Sequence, residues 1–600
     1  MAKKFIDIMD TTFRDGFQSV YGGRVLMEDF FPAVEAAKTA GITHFEFGGG
    51  ARFQSLYFYL REDAFEMMDK FRKIVGPDAN LQTLARGVNT VMLDTGSKEL
   101  IDLHAKMFKK HGTTTIRNFD ALNDVENLKY SGERIAHHGL KHEVVVTMMD
   151  LPPGCHGAHT TEFYEQTLRE ILDSGVPYDS ICFKDASGTS NPQKVFDTIK
   201  MARNLVPEGT HIRLHTHETA GVSVSAYMAA LEAGVDGIDM AASPVSGGTS
   251  QPDILTMLHA TKGMDYDLGG LEIGKILTYE KELQHCLSDY FIPPEATMVS
   301  PIIPFSPMPG GALTANTQMM RDNDIFDKFP EVIAAMQEVV EKGGYGTSVT
   351  PVSQFYFQQA LNNVMQGPWN AIAPGYGRMV LGYFGKTPVA PDPEIVKIAS
   401  EKLNLRPTTE KALDLADADP EKSLENWINK LKDEDIEITE ENIFIAAACH
   451  DKGIDFLKGK GELNIRKISQ MKKDCEGSTN MGNGNYTVVV DGQKFSVQVA
   501  EGDANIEVVA VDGESIAPIA SKENTASADG EIQIKALLPG SVWKLVANPG
   551  QSVNEGDVIM ILESMKMEID VVAPCGGVIK SINVATNDKV VEGQVVAVIG

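Results

Sequence analysis

The sequence predicts an α/β chain: a TIM (β/α)8 barrel, a C-terminal helical extension, a small β tether region and a β-sandwich or flattened-barrel carrier module. Three observations predict it. Short apolar runs alternate with amphipathic helical stretches over residues 1–300, the pattern of a parallel sheet with crossover helices. Helical periodicity takes over across 301–475. Residues 531–600 contain an internal repeat of short β-like segments.

Taken in order, residues 5–10 read as a buried strand, 28–40 as a helix and 42–47 as the next strand. The same alternation recurs at 143–148, 180–184, 211–215 and 235–239. About 250 residues of such alternation is the usual extent of a TIM barrel. An open doubly wound sheet is the rival, but no GxGxxG follows the first strand. Residues 332–342 and 393–405 carry helical periodicity. The charge-rich stretch 410–441 reads as solvated helices, and the helical extension as a whole is expected to pack on the barrel mouth. In 485–514, Asp491 and Gly492 separate two alternating runs, a strong hairpin signal. Residues 515–530 are rich in Ser, Ala, Asp and Glu and read as a short linker.

The formal net charge of -29 argues against an electrostatic footprint for nucleic acid. The six cysteines form no CxxC pair, so neither a zinc ribbon nor a dithiol site is indicated. Scattered cysteines in an acidic chain without an apolar leader predict a cytoplasmic protein. No apolar run reaches bilayer length.

In the C-terminal repeat, Gly540, Val542 and Lys544 are echoed by Gly576, Val578 and Lys580. Val553, Glu555, Gly556 and Val558 are echoed by Val590, Glu592, Gly593 and Val595. Lys566 lies between the halves, flanked by Met565 and Met567 at the expected hairpin tip. Solvent-facing methionines at a turn gain nothing by burial, so packing does not explain them. This module resembles the biotinyl domain family, and the resemblance implies that Lys566 carries covalent biotin.

Three further motifs fall at the carboxyl ends of predicted strands, the catalytic face of a TIM barrel. They are Arg14-Asp15 with Gln18, Lys184-Asp185, and His215 with His217. Histidines two apart on a strand project to one side. Two imidazoles and a carboxylate suit a divalent metal acting as Lewis acid. Together with the biotinyl tail, these residues resemble the biotin-dependent carboxyltransferase family. That family includes the transferase subunit of two-subunit pyruvate carboxylases and the oxaloacetate decarboxylase alpha subunit, and the resemblance covers essentially the whole chain.

The resemblance implies a metal (Zn, Mn or Co) on Asp15, carbamylated Lys184, His215 and His217. It implies that Arg86 grips the carboxylate of a 2-oxo acid, that Gln18 orients the 2-oxo group beside Arg14, and that Thr314 shuttles a proton. By the same resemblance Thr350 and Ser353 line the biotin pocket. A hydroxyl at Thr314 could instead cap a helix. Transfer is then expected between carboxybiotin and pyruvate or oxaloacetate.

The family pattern is broken at Gln54, usually aspartate, at Leu93, often tyrosine, and at Glu218 and Ala220. Gln54 and Leu93 are expected near the substrate, which leaves 2-oxoglutarate open as acceptor. A DRE-type lyase or synthase shares the barrel motifs but has no use for a biotinyl tail. A non-catalytic biotin carrier is the alternative of another class. The chain holds no ATP-binding region, so the resemblance implies a separate ATP-dependent biotin carboxylase subunit, or membrane decarboxylase subunits in a sodium pump. The short polar linker favours the first. A biotin protein ligase and homo-oligomeric assembly are also expected.

Overall fold

In the computed structural model of the chain, residues 3–461, 463–470, 484–490, 493–499, 532–536, 540–564, 567–586, 588–591 and 593–600 are described. They form two compact units, Met1–Ile465 and Arg466–Gly600.

The first unit is built on eight parallel strands: β1 (Lys4–Asp10), β2 (His44–Gly49), β3 (Asn80–Ala85), β4 (Thr115–Asn118), β5 (Lys141–Thr147), β6 (Ser180–Asp185), β7 (His211–Thr216) and β8 (Gly237–Met240). Each pairs with the next, and β1 pairs with both β8 and β2, so the sheet closes. A short β9 (Tyr266–Leu268) adds to the outer edge of β1. The barrel reading and the strand positions are borne out, with ends shifted by a residue or two. Val144, Val145 and Val146 show why the strands read as continuous apolar runs: strands covered on both faces bury every side chain.

The lumen departs from that apolar reading. Arg117 Nε lies 2.5 Å from Glu143 and its Nη1 2.6 Å from Asp239; Arg213 Nη1 lies 3.0 Å from Asp239. All four side chains are buried. Such charges persist inside only when paired, and removing one partner costs roughly 3–5 kcal/mol.

The outer helices begin on local signals. Asn191 caps Pro192–Leu205, whose proline occupies the first turn, and Ser97 caps Lys98–Lys110.

The helical extension includes α1 (Gly310–Asp322), α2 (Val352–Gln366) and α3 (Glu440–Leu457). Its start does cover the mouth: Thr347 N donates to Ala121 O at 2.8 Å, and Thr347 meets Thr147 at the end of β5 through a 2.8 Å hydroxyl pair. Its end does not. The α3 segment carries a buried run from Ile443 to Cys449, and Phe444 packs on Phe53, Phe65 and Phe108 on the barrel flank. An apolar run that wide needs cover on most sides, which the mouth cannot supply. Between them, Leu424–Asp433 is solvated as expected, save for buried Trp427 and Leu431.

In the second unit, β10 (Gly484–Val490) and β11 (Gln493–Val499) pair antiparallel, with Val490 opposite Gln493. The turn residues Asp491 and Gly492 and the linker 515–530 lie outside the described residues. The C-terminal module consists of two four-stranded antiparallel sheets. One runs β12 (Ile532–Lys535), β19 (Val595–Ile599), β17 (Gly577–Ile582), β14 (Ser552–Val553). The other runs β16 (Met567–Val572), β15 (Val558–Ser564), β13 (Gly540–Leu545), β18 (Lys589–Val590). Exchanging the sequence halves turns one order into the other, so the repeat is a quasi-two-fold. Val542, Ile559, Leu562, Ile579, Val596 and Ile599 fill its core. The pair Ser564–Met567 closes the β15–β16 hairpin. Met565 and Lys566, expected at a hairpin tip, lie outside the described residues. Among the described residues no helix is long and apolar enough to cross a membrane.

Candidate active site

One turn of π-helix, Thr12–Gly16, follows β1 and buries both Arg14 and Asp15. Lys184 comes from the end of β6, His215 from β7, and His217 from just beyond it. The ligand atoms of Asp15, His215 and His217 all lie within 4.8 Å of one another. Asp15 Oδ2 is 3.2 Å from His215 Nε2 and 3.4 Å from His217 Nε2. Lys184 Nζ is 2.6 Å from His215 Nε2 and 3.6 Å from Asp15 Oδ2.

The opposite nitrogens explain this convergence. His215 Nδ1 sits 2.8 Å from Asp239 Oδ2, and His217 Nδ1 sits 2.7 Å from Thr249 O. These acceptors assign the Nδ1–H tautomer to both rings and turn the Nε2 lone pairs inward, the arrangement metal-ligating histidines need. The donor set of two imidazoles, one carboxylate and a nearby lysine therefore fits a divalent cation.

The charges are mutually adjusted. Burial alone would raise Asp15, but Arg14, His217 and Lys184 hold its carboxyl well below the usual range. Burial lowers the Lys184 amine, outweighing the attraction of Asp15, and so favours its neutral, nucleophilic form. Burial, then the Lys184 charge, likewise lowers His215.

A cleft opens beside this cluster. Arg14, Asp15, Gln18, Arg86, Lys184, His217 and Thr350 line it, with Pro309, Gly311 and Ala312 from the start of α1. Arg86 follows β3 and is buried. Its Nη1 donates to Val91 O at 2.6 Å and Met92 O at 3.0 Å, while Nε has no partner among the described residues. Among the described residues no carboxylate pairs with it, and burial, then Arg14, lowers it to about 9. Arg14, in contrast, is neutralised by Glu46 at 2.6 Å and Asp15 at 3.1 Å. Gln18 Oε1 accepts from Arg14 Nη1 at 3.5 Å, which leaves its amide nitrogen free to donate.

Thr314 lies in the second turn of α1, whose N-cap position is Pro309, so it is not a helix cap. Its hydroxyl donates to Thr249 Oγ1 at 3.3 Å. Gly310 lets α1 approach this closely, because a Cβ there would lie 1.6 Å from Thr249 O. Ser353 is buried, and its hydroxyl has no partner among the described residues.

Of the two positions expected near the substrate, Gln54 donates to Ala448 O at 2.8 Å, turned towards α3, while Leu93 follows Met92, whose carbonyl accepts from Arg86. Burial raises the Glu218 carboxyl, an effect partly offset by the backbone N–H groups of Ser223 and Val224 at the start of the helix Ser223–Ala233. Sequence reading missed Gln251, whose Nε2 lies 3.0 Å from His217 Nε2 and 3.2 Å from Asp15 Oδ2. Its place in the loop after β8, at the catalytic face, was the available signal. Asp239 and Glu46, inside strands, gave none.

Three family descriptions match: HMGL-like over residues 146–250, Conserved carboxylase domain over 303–504, and Biotin-requiring enzyme over 533–599. The methylmalonyl-CoA carboxyltransferase 5S subunit of Propionibacterium freudenreichii subsp. shermanii is 32% identical over 423 residues, covering 70% of this chain and 81% of that protein. The chain belongs to the biotin-dependent carboxyltransferase family. A pyruvate carboxylase subunit of Methanocaldococcus jannaschii is 29% identical over 566 residues, 94% of each chain. The solved carboxyl transferase domain of Rhizobium etli pyruvate carboxylase, with pyruvate and biocytin, shares the fold: TM-score 0.69 at 24% identity, over 76% of this chain and 78% of that one. This biotin-dependent carboxyltransferase is an enzyme whose cofactors are covalent biotin and a divalent metal.

Proposed function

We propose that the chain is the transferase and carrier subunit of a two-subunit pyruvate carboxylase, moving a carboxyl group between biotin on Lys566 and pyruvate or oxaloacetate. One observation carries the choice of acceptor. Arg86 is the one cleft-lining cation among the described residues without a carboxylate near it. Its guanidinium suits bidentate pairing with a single substrate carboxylate. 2-Oxoglutarate holds one carboxylate more than pyruvate both before and after transfer, and that extra group would ask for a second such cation. The likeness to the Methanocaldococcus jannaschii subunit, which spans the carrier region too, supports the two-subunit reading.

In this reading residues 1–300 and 301–475 form the transferase domain, 485–514 the tether, 515–530 the linker and 531–600 the carrier. Asp15, His215, His217 and a carbamate on Lys184 would hold the metal. A carbamate turns a cationic amine into an anionic oxygen ligand, as a hard or borderline cation prefers. When bound, the metal supplies Lewis acidity at the 2-oxo oxygen, and biotin supplies the nitrogen that carries the carboxyl group. Arg86 anchors the substrate carboxylate, and the Gln18 amide, steadied by Arg14, donates to the 2-oxo oxygen. Charge that develops on the enolate oxygen is stabilised by these fixed donors. Thr314 Oγ1 relays the proton leaving the substrate methyl, and Thr350 and Ser353 line the biotin pocket.

The partners are a separate ATP-dependent biotin carboxylase, which charges the carrier, and a biotin protein ligase. The protein works in the cytoplasm as a homo-oligomer. The test combines the biotinylated chain with its carboxylase subunit, ATP, bicarbonate and either 2-oxo acid. Oxaloacetate formation from pyruvate is expected; faster carboxylation of 2-oxoglutarate would overturn the choice of acceptor. A chain that carries biotin yet transfers to neither acid would instead be a bare carrier.

A further inference from the structure

The loop after β3 holds Arg86 by its own backbone. The carbonyls of Val91 and Met92 both accept from Arg86 Nη1, so the position of this short stretch sets where the guanidinium points. The loop is under strain: Thr90, a β-branched residue, adopts φ 51° and ψ -107°. Conformations of that kind persist only where the surroundings hold them.

The hold comes from outside the barrel. Asp94, two residues beyond Met92, receives Lys422 Nζ at 2.9 Å and Arg378 Nη1 at 3.2 Å on the same carboxylate oxygen. Lys422 also donates to Thr95 Oγ1 at 2.9 Å. Both cations belong to the helical extension, from helix Pro374–Val380 and the turn Pro420–Lys422. Two cations converging on one carboxylate form a network, the geometry in which partly exposed ion pairs contribute most.

We infer that Asp94 is a positioning residue for carboxylate recognition: clamped by Arg378 and Lys422, it fixes the loop whose carbonyls aim Arg86 at the substrate. The inference rests on the reading of Arg86 given above. It makes the helical extension part of substrate recognition, acting without contact with the substrate.

The test measures KM and kcat for the 2-oxo acid with the biotinylated chain and its carboxylase subunit. Asp94→Asn and Lys422→Met should each raise KM about fivefold, the equivalent of roughly 1 kcal/mol for such a network, with kcat within about twofold. The double variant should be no worse than either single one, because the two groups act as a unit. Asp94→Glu should recover most of the loss. Should Asp94→Asn fail to fold, Lys422→Met carries the same prediction from the other side of the clamp. Unchanged KM in the folded variants, or additive effects, would overturn the inference. Arg86→Gln separates the two readings: if it leaves KM unchanged, the role of Arg86 fails; if it alone raises KM, only the clamp fails.

Discussion

Asp239 holds His215 through a 2.8 Å contact from Oδ2 to Nδ1, while the same carboxylate takes Arg117 at 2.6 Å and Arg213 at 3.0 Å. One residue thus ties a histidine of the metal-ligand cluster to the buried ion network of the barrel lumen. Asp239→Asn should weaken metal binding by roughly 10- to 100-fold, the usual cost of losing such a partner. It should also lower Tm, since two buried guanidinium groups lose their shared anion at a cost of roughly 3–5 kcal/mol. Metal titration of the purified variant and a thermal melt check both; unchanged metal affinity would remove Asp239 from the site.

Arg86→Lys keeps the charge and loses the fork. KM for the 2-oxo acid should rise at least about tenfold, because an ammonium cannot pair bidentately. Steady-state kinetics with saturating carboxylase subunit reads it, and a KM equal to that of the parent would mean the carboxylate is held elsewhere.

Thr314→Ala should lower kcat by about 100-fold or more, the usual range for losing a positioned proton-transfer group, with biotinylation untouched. Thr314→Ser, which keeps the hydroxyl, should retain most of the rate. An alanine variant as fast as the parent would exclude the relay.

Lys566→Arg should leave metal content and melting unchanged and abolish both streptavidin binding and carboxyl transfer. Residual biotin by intact mass would place the attachment on another lysine.

His104 sets a pH dependence of stability. It is 3% exposed against Phe108 and Phe444, its Nε2 has no partner among the described residues, and burial lowers it to about 3 from an ordinary 6.5. A depressed folded value means that its stabilising contribution is full above pH 6.5 and is lost as pH falls towards 3. The cost is roughly 1.4 kcal/mol per pH unit for one proton. His142 and His159, both lowered by burial to about 4, add to the same slope. Carboxyls raised by burial to between about 6 and 8 at Asp10, Glu62, Asp120 and Glu280 act in the opposite sense over the same range, so the histidine is read by difference: between pH 6.5 and pH 5, His104→Gln should gain stability relative to the parent by about one proton's worth of slope. An identical profile in the variant would assign the acid loss to other groups.

Much of the site was legible in one dimension. Arg14, Asp15, Lys184, His215 and His217 stand at strand ends, where a barrel's chemistry is done, and their residue types announce it. The doubling of the C-terminal module was equally plain, because a repeated fold repeats its turn residues. Gln54 was misplaced because proximity to a motif says nothing about which way a side chain faces: α3, nearly 400 residues away in sequence, drew it outward.

The sequence by itself determined the parallel barrel, the two-fold carrier module and the residue types of the chemistry, since strand period, repeat and motif are all local properties of the chain. Only the tertiary structure decided which nitrogens of His215 and His217 face Asp15, that Arg86 meets no anion among the described residues, and that Asp94 is held from the helical extension. The first and the last depend on partners brought in from far along the chain: Asp239, Thr249, Lys422. Long-range pairing of polar groups follows from how the barrel closes and what packs on it, and no local pattern records it.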